Sequence, residues 1–200
     1  MHSIYQDKIL QLAKSEGILR PRDLHLHRIP RIYLNRLTRQ GLLRQVGRGL
    51  YMLADAEPTE HHALAEACKR IPHGVICLLS ALRFHGLTTQ LPHEVWMAIP
   101  NTARQPKVDQ PAMRFHRFSG PALTDGIESH DIEGVQVRIY NPAKTVADCF
   151  KYRNKIGLDI AIEALKDGLY QRKATPDELY RYARTCRMTR VMQPYMEALL

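Results

Sequence analysis

The 200-residue sequence has no long hydrophobic run. Its longest apolar stretch, Val75 to Leu79, falls far short of the roughly 18 residues that span a bilayer. The first 17 residues carry Asp7, Lys8, Lys14 and Glu16 where a secretion signal needs unbroken apolar character, so a soluble cytoplasmic chain with no membrane partner is expected. Cysteine is scarce: Cys68, Cys77, Cys149 and Cys186 stand far apart with no CxxC pair. That spacing speaks against a disulfide framework and predicts four reduced, partly buried thiols that act as small apolar residues. Glycine-rich phosphate loops, HExxH and D-x-D are all absent. No cofactor and no metal are therefore expected. With 44% hydrophobic residues, and glycine and proline at ordinary levels, the chain can nevertheless bury a core.

Acids are missing where bases gather. Residues 1–54 hold ten Lys and Arg against three Asp and Glu, a net of +7, whereas the whole chain carries +9. Eight of the ten are arginines, whose planar fork suits phosphates and guanine edges. Composition changes at Ala54-Asp55-Ala56-Glu57-Pro58, which reads as a boundary between domains at 1–54 and 57–200. The partner of the charge is therefore expected at the N-terminal segment, with nucleic acid the first candidate.

Local patterns in that segment predict three helices and a hairpin. Ile9, Leu12 and Ala13 share one helical face, with Ser3 as cap and Gly17 as stop. Arg20-Pro21-Arg22-Asp23-Leu24 opens a second helix, with its proline near the first position. A third runs from Pro30 to about Gln40, turning Leu34 and Leu37 inward and Arg31, Asn35, Arg36 and Arg39 outward. Leu42 to Val46, Gly47-Arg48-Gly49 and Leu50 to Leu53 then read as a hairpin with an arginine at its tip. Three helices and a hairpin predict a winged helix-turn-helix, whose third helix fits the major groove. The same scaffold serves protein contacts when its arginines are merely solvated.

The remainder predicts an α+β domain. Helices are expected over 59–70, with Thr59 as cap, and over 77–84. Strands are expected over 94–99, 112–118, 126–132 and 134–140. Four helices follow, over 142–153, 158–170, 176–186 and 188–200. Val135, Val137 and Ile139 alternate cleanly, while the inward face of 112–118 stays open. Ten histidines include His25, His27, His61 and His62, and Cys68, His73 and Cys77 come nearest to a cluster, yet none has zinc-ligand spacing. Glu128, Asp131, Asp148 and Asp159 form no recognisable Mg²⁺-binding set. Lys144 to Asp148 reads either as a capped helix start or as a site where lysine and aspartate work together. Arg83 and His85, in Ser80 to Leu87, suit the C-terminal end of a helix, with a partner-binding role as the alternative.

The ordered set Gly17-Ile18-Leu19-Arg20, Leu34-Asn35-Arg36-Leu37, Gly41-Leu42-Leu43 and Gly47-Arg48-Gly49-Leu50-Tyr51 resembles the AbiEi antitoxin family of transcriptional regulators. Ser80-Ala81-Leu82 with His85-Gly86-Leu87, Asn141 to Asp148, and Ala161 to Leu165 extend the resemblance to roughly residues 4–190. It implies the antitoxin of a type IV toxin–antitoxin system, a non-enzymatic repressor that binds inverted repeats in its own promoter. The toxin it counteracts would be nucleotidyltransferase-like, and no stable complex between the two is implied. DNA contact would fall on Arg31, Asn35, Arg36 and Arg39, with Arg48 on the wing and Arg20, Arg22, Arg28 and Arg44 at phosphates. Two copies are expected on the repeat, by dimerisation or by cooperative binding of monomers. Two other classes stay open: an enzyme acting on nucleic acid or nucleotides through the C-terminal domain, and a ligand-sensing transcription factor.

Overall fold

The computed structural model describes residues 4–199, so the Ser3 cap and Leu200, the end of the last expected helix, lie outside the described residues. The chain forms two compact units: Met1–Arg70 with Asp131–Val137, and Ile71–His130 with Arg138–Leu200.

In the first unit, α1 (Ile4–Glu16), α2 (Pro21–Leu26) and α3 (Ile32–Arg39) precede the strands β1 (Leu43–Gly47) and β2 (Leu50–Leu53), and α4 (His62–Arg70) follows. Helix α1 buries Ile9 and Ala13, four residues apart on one face. Gly17, at φ +61°, stops it. Pro21 starts α2, where the Asp23 carboxylate accepts the Arg20 backbone N–H at 2.9 Å. Leu34 and Leu37 of α3 close a core with Ile9, Leu24, Leu43 and Tyr51. Each buried leucine contributes about 1.5–3 kcal/mol. The hairpin is antiparallel, with Gly47 opposite Leu50, so Arg48 and Gly49 form its turn.

This unit runs past the composition break at 54–58, because α4 is tied into it. Lys69 Nζ lies 2.9 Å from Glu16 and 3.2 Å from Asp23. Arg70 binds Glu66 at 2.8 Å and the Arg48 carbonyl at 3.1 Å. The helix expected from Thr59 begins only at His62. The Thr59 N–H and hydroxyl instead donate to Glu133 at 2.6 and 2.9 Å, and His62 Nδ1 lies 2.6 Å from the same carboxylate. Burial alone would raise the Glu133 pKa, but these hydrogen bonds hold it below its ordinary value. Glu133 and Gly134, at φ +54° and +78°, form the tight turn expected between the strands 126–132 and 134–140; its contact with Thr59 and His62 is what sequence spacing does not encode.

The second unit contains β3 (Val75–Ile76), α5 (Leu78–Phe84), β4 (Val95–Pro100), β5 (Met113–Phe118), α6 (Pro121–Thr124), β6 (Ile127–Ile132) and β7 (Val135–Tyr140). A helical run follows: α7 (Pro142–Lys151), α8 (Arg153–Ile156), α9 (Leu158–Tyr170), α10 (Pro176–Thr185) and α11 (Thr189–Glu197). The Glu133–Gly134 turn joins β6 to β7, and the stretch 131–137 counts with the first unit. The five strands are ordered β5-β4-β3-β7-β6. β3 pairs antiparallel with β4 and parallel with β7, and β4 pairs parallel with β5. The architecture is mixed α+β, as expected. The central strand β3 was not foreseen, since two residues carry no readable period. On β5 the inward face is that of His116 and Phe118, both buried, with Trp96 stacked on His116 at 5.0 Å.

Helix α7 packs against α5, α9 and α10, and Ala143, Val146, Ala147 and Phe150 are buried. Asn141 caps it by accepting the Lys144 N–H at 2.8 Å. Lys144 and Asp148 are both fully buried and paired at 2.6 Å. The stretch is thus a capped helix start that encloses an ion pair. All four cysteines are buried.

Candidate nucleic-acid interface

Helix α3 has one buried and one exposed face. Leu34 and Leu37 are turned into the core, while Arg31 at its N-cap, Asn35, Arg36 and Arg39 are exposed. Asn35, Arg36 and Arg39 continue a single stripe that Ile32 begins, at spacings of three, four and seven residues. No acid stands anywhere on α3. Tyr51 Oη lies 3.5 Å from Asn35 Oδ1, so the hairpin helps fix the amide.

The loop between α2 and α3 adds a second basic feature. A cleft of about 550 Å³ is lined by Pro21, Arg22, His25, Arg28, Ile29, Pro30 and Arg31, with no acid among them. Arg22 and Arg28 are exposed. Arg28 sits at φ +55°, where backbone geometry favours glycine and any other residue costs roughly 1–2 kcal/mol. Sequence reasoning missed His25 as part of this cleft. Its partners arrive from both sides of a turn, and only the string of cations around it was a signal.

Arg48 is exposed at the hairpin turn. That turn is clamped, because a Cβ at Gly47 would lie 2.4 Å from Arg70 Nη2 and 2.7 Å from Glu66 Oε1. The tip is therefore held to α4, which sequence reasoning assigned to the other domain.

Two of the expected arginines are engaged elsewhere. Arg20 pairs with Asp23 at 3.0 Å and donates to the Lys69 carbonyl. Burial opposes ionisation of Asp23, yet Arg20 and Lys69 hold its pKa below the ordinary value. Arg44 Nη2 donates to the Ala56 carbonyl at 2.7 Å, and its Nε is buried. Both side chains thus have partners within the unit. The structure thus groups Arg22, Arg28, Arg31, Asn35, Arg36 and Arg39 along α2, its turn and α3, and sets Arg48 on the hairpin.

In the second unit the acids do not converge. Among the described residues, no three or more His, Cys, Asp or Glu are placed to hold a metal ion. Asp148 and Lys144 are wholly enclosed, and Glu128 lies 3.4 Å from His130. Arg83 and His85 do close α5, and His85 is drawn to the Tyr140 carbonyl at 2.7 Å. Burial lowers the His85 pKa. Among the described residues no helix is long and apolar enough to cross a membrane.

Among solved structures, the crystal structure of the RV2827C protein from Mycobacterium tuberculosis is similar, with a TM-score of 0.59 and 14% sequence identity. The likeness covers 91% of this chain and 72% of that one, and at such identity it concerns the fold alone. No curated protein matches the sequence. Residues 7–54 match the family described as "Transcriptional regulator, AbiEi antitoxin". The exposed basic stripe of α3 lies within the segment that matches this family.

Proposed function

We propose that the chain is a sequence-specific DNA-binding repressor and the antitoxin of a type IV toxin–antitoxin system. Helices α1–α3 and the β1–β2 hairpin work as a winged helix-turn-helix, with α3 in the major groove and the hairpin as the wing. The observation that carries this reading is the exposed face of α3, where Asn35, Arg36 and Arg39 share one acid-free stripe. Arginine pairs bidentately with guanine and asparagine with adenine. Arg22, Arg28 and Arg31 around the cleft, and Arg48 on the wing, supply phosphate contacts that set register and salt dependence. Residues 1–54 provide the DNA-contacting surface and 57–200 the antitoxic activity. The chain acts in the cytoplasm without enzymatic chemistry. It binds inverted repeats in its own promoter as two copies and opposes a nucleotidyltransferase-like toxin without a stable complex.

A gel shift and footprint on the DNA upstream of its own gene test the reading. Arg39→Ala or Asn35→Ala weakens specific binding by about 1–3 kcal/mol, the worth of one base-edge pairing. Equal weakening on scrambled DNA would reduce α3 to a phosphate clamp. A footprint with a single copy bound would remove the inverted-repeat arrangement.

A further inference from the structure

The basic stripe of α3 begins with a residue that carries no charge. Ile32 is 69% exposed on the first turn of the helix. It stands three, four and seven residues before Asn35, Arg36 and Arg39, on the same side. The inward positions are already filled by Leu34 and Leu37, so Ile32 has no place in the core of its own unit. Its neighbours on the stripe can exchange hydrogen bonds with guanine and adenine edges. The one apolar feature that the major groove offers is the 5-methyl group of thymine. A branched aliphatic side chain on the helix's first turn, where recognition helices meet base edges, matches that group in size and polarity.

We propose that Ile32 reads a thymine methyl in the major groove, in line with the base contacts of Asn35, Arg36 and Arg39; the inference rests on the DNA-reading role given above. The helix rises 1.5 Å per residue, so Ile32 precedes Arg36 by about 6 Å and Arg39 by about 10 Å along the axis. At 3.4 Å per base pair those offsets are two and three steps. Each half-site is therefore compact, about four base pairs, with the thymine at one end and a guanine contact two or three pairs away.

The full-length chain is used to select binding sites from a pool of random duplexes. Each thymine of the selected site is then replaced singly by deoxyuridine, which removes only the methyl group. One thymine per half-site is expected to be sensitive, with affinity falling about fourfold, the value for burying one methyl-sized group. Ile32→Ala binds the thymine site about fourfold more weakly and no longer distinguishes thymine from uracil at that position. Ile32→Val retains the distinction. The inference is overturned if no thymine is sensitive, or if the Ile32→Ala protein stays equally sensitive. It is overturned too if Ile32→Ala changes the number of copies in solution while leaving discrimination intact, since Ile32 then serves a protein contact. A selection that enriches no sequence refutes the DNA-reading role itself, and the thymine contact with it.

Discussion

Removing one member of the Lys144–Asp148 pair offers a sharp test of how the second unit is held together. Lys144 Nζ lies 2.6 Å from Asp148 Oδ2, and neither side chain is exposed. The other carboxylate oxygen accepts from Cys186 Sγ at 3.2 Å, and the ammonium sits 4.1 Å from the centre of the Tyr140 ring. Lys144→Met keeps the length of the side chain but strands a buried carboxylate. Breaking a buried pair in this way costs about 3–5 kcal/mol, whereas two well-packed apolar residues are often neutral. At about 2–4 °C per kcal/mol for a chain of this size, the melting temperature falls by roughly 10 °C. The double variant Lys144→Met/Asp148→Leu recovers most of the loss, so the double-mutant cycle shows strong coupling. Acidity adds a signed check. Burial already raises the Asp148 pKa above its ordinary value, and loss of Lys144 removes the largest influence opposing that rise, leaving only the Cys186 hydrogen bond and the charge of Lys151 against it. A carboxyl whose folded pKa exceeds its unfolded one loses stability as pH rises, so the deficit of Lys144→Met is full at pH 8 and smaller at pH 5. Thermal unfolding of the unaltered chain, Lys144→Met, Asp148→Leu and the double variant at both pH values measures it. A single variant costing under about 1 kcal/mol, or a double variant no better than the single, would refute the reasoning.

Two other sites make independent predictions. His116 is buried between Trp96 and Tyr152, and burial first, then Lys155 and Arg114, push its pKa down to about 4. Its folded pKa lies below the unfolded value near 6.5, so stability is complete above pH 6.5 and falls by about 2–3 kcal/mol toward pH 4.5. His116→Gln removes that part of the pH dependence, read as the difference between the two unfolding curves. Gly17→Ala places a methyl 1.5 Å from the Glu133 carbonyl oxygen at a residue with φ +61°. The backbone must move, and the cost exceeds the roughly 1–2 kcal/mol of the left-handed conformation alone, measurable by urea unfolding.

The helices and strands of this protein were largely legible in the sequence because their signals are local. Leu34 and Leu37 repeat at helical spacing, Val135, Val137 and Ile139 at strand spacing, and proline or glycine punctuates the ends. The segregation of charge was legible for the same reason, since ten of the 29 basic residues crowd into 54 positions. A count of arginines does not reveal which of them are free. Arg20 and Arg44 look like Arg36 and Arg48 in the sequence, yet the first pair is consumed by Asp23 and by the carbonyls of Lys69 and Ala56. Those partners lie as much as 49 residues away in the chain.

The sequence by itself determined that an amphipathic third helix would carry an uncompensated basic face beside a glycine-bounded hairpin. Periodicity and side-chain chemistry suffice for that. Only the tertiary structure decided where the first compact unit ends, because Glu133, Lys69 and Arg70 join it through contacts that sequence spacing does not encode. It also decided that the lysine and aspartate of α7 enclose each other away from solvent, and that Ile32 is left on the surface. Burial belongs to the assembled core: Leu34 and Leu37 fill the space beneath α3, and the isoleucine before them is left facing outward.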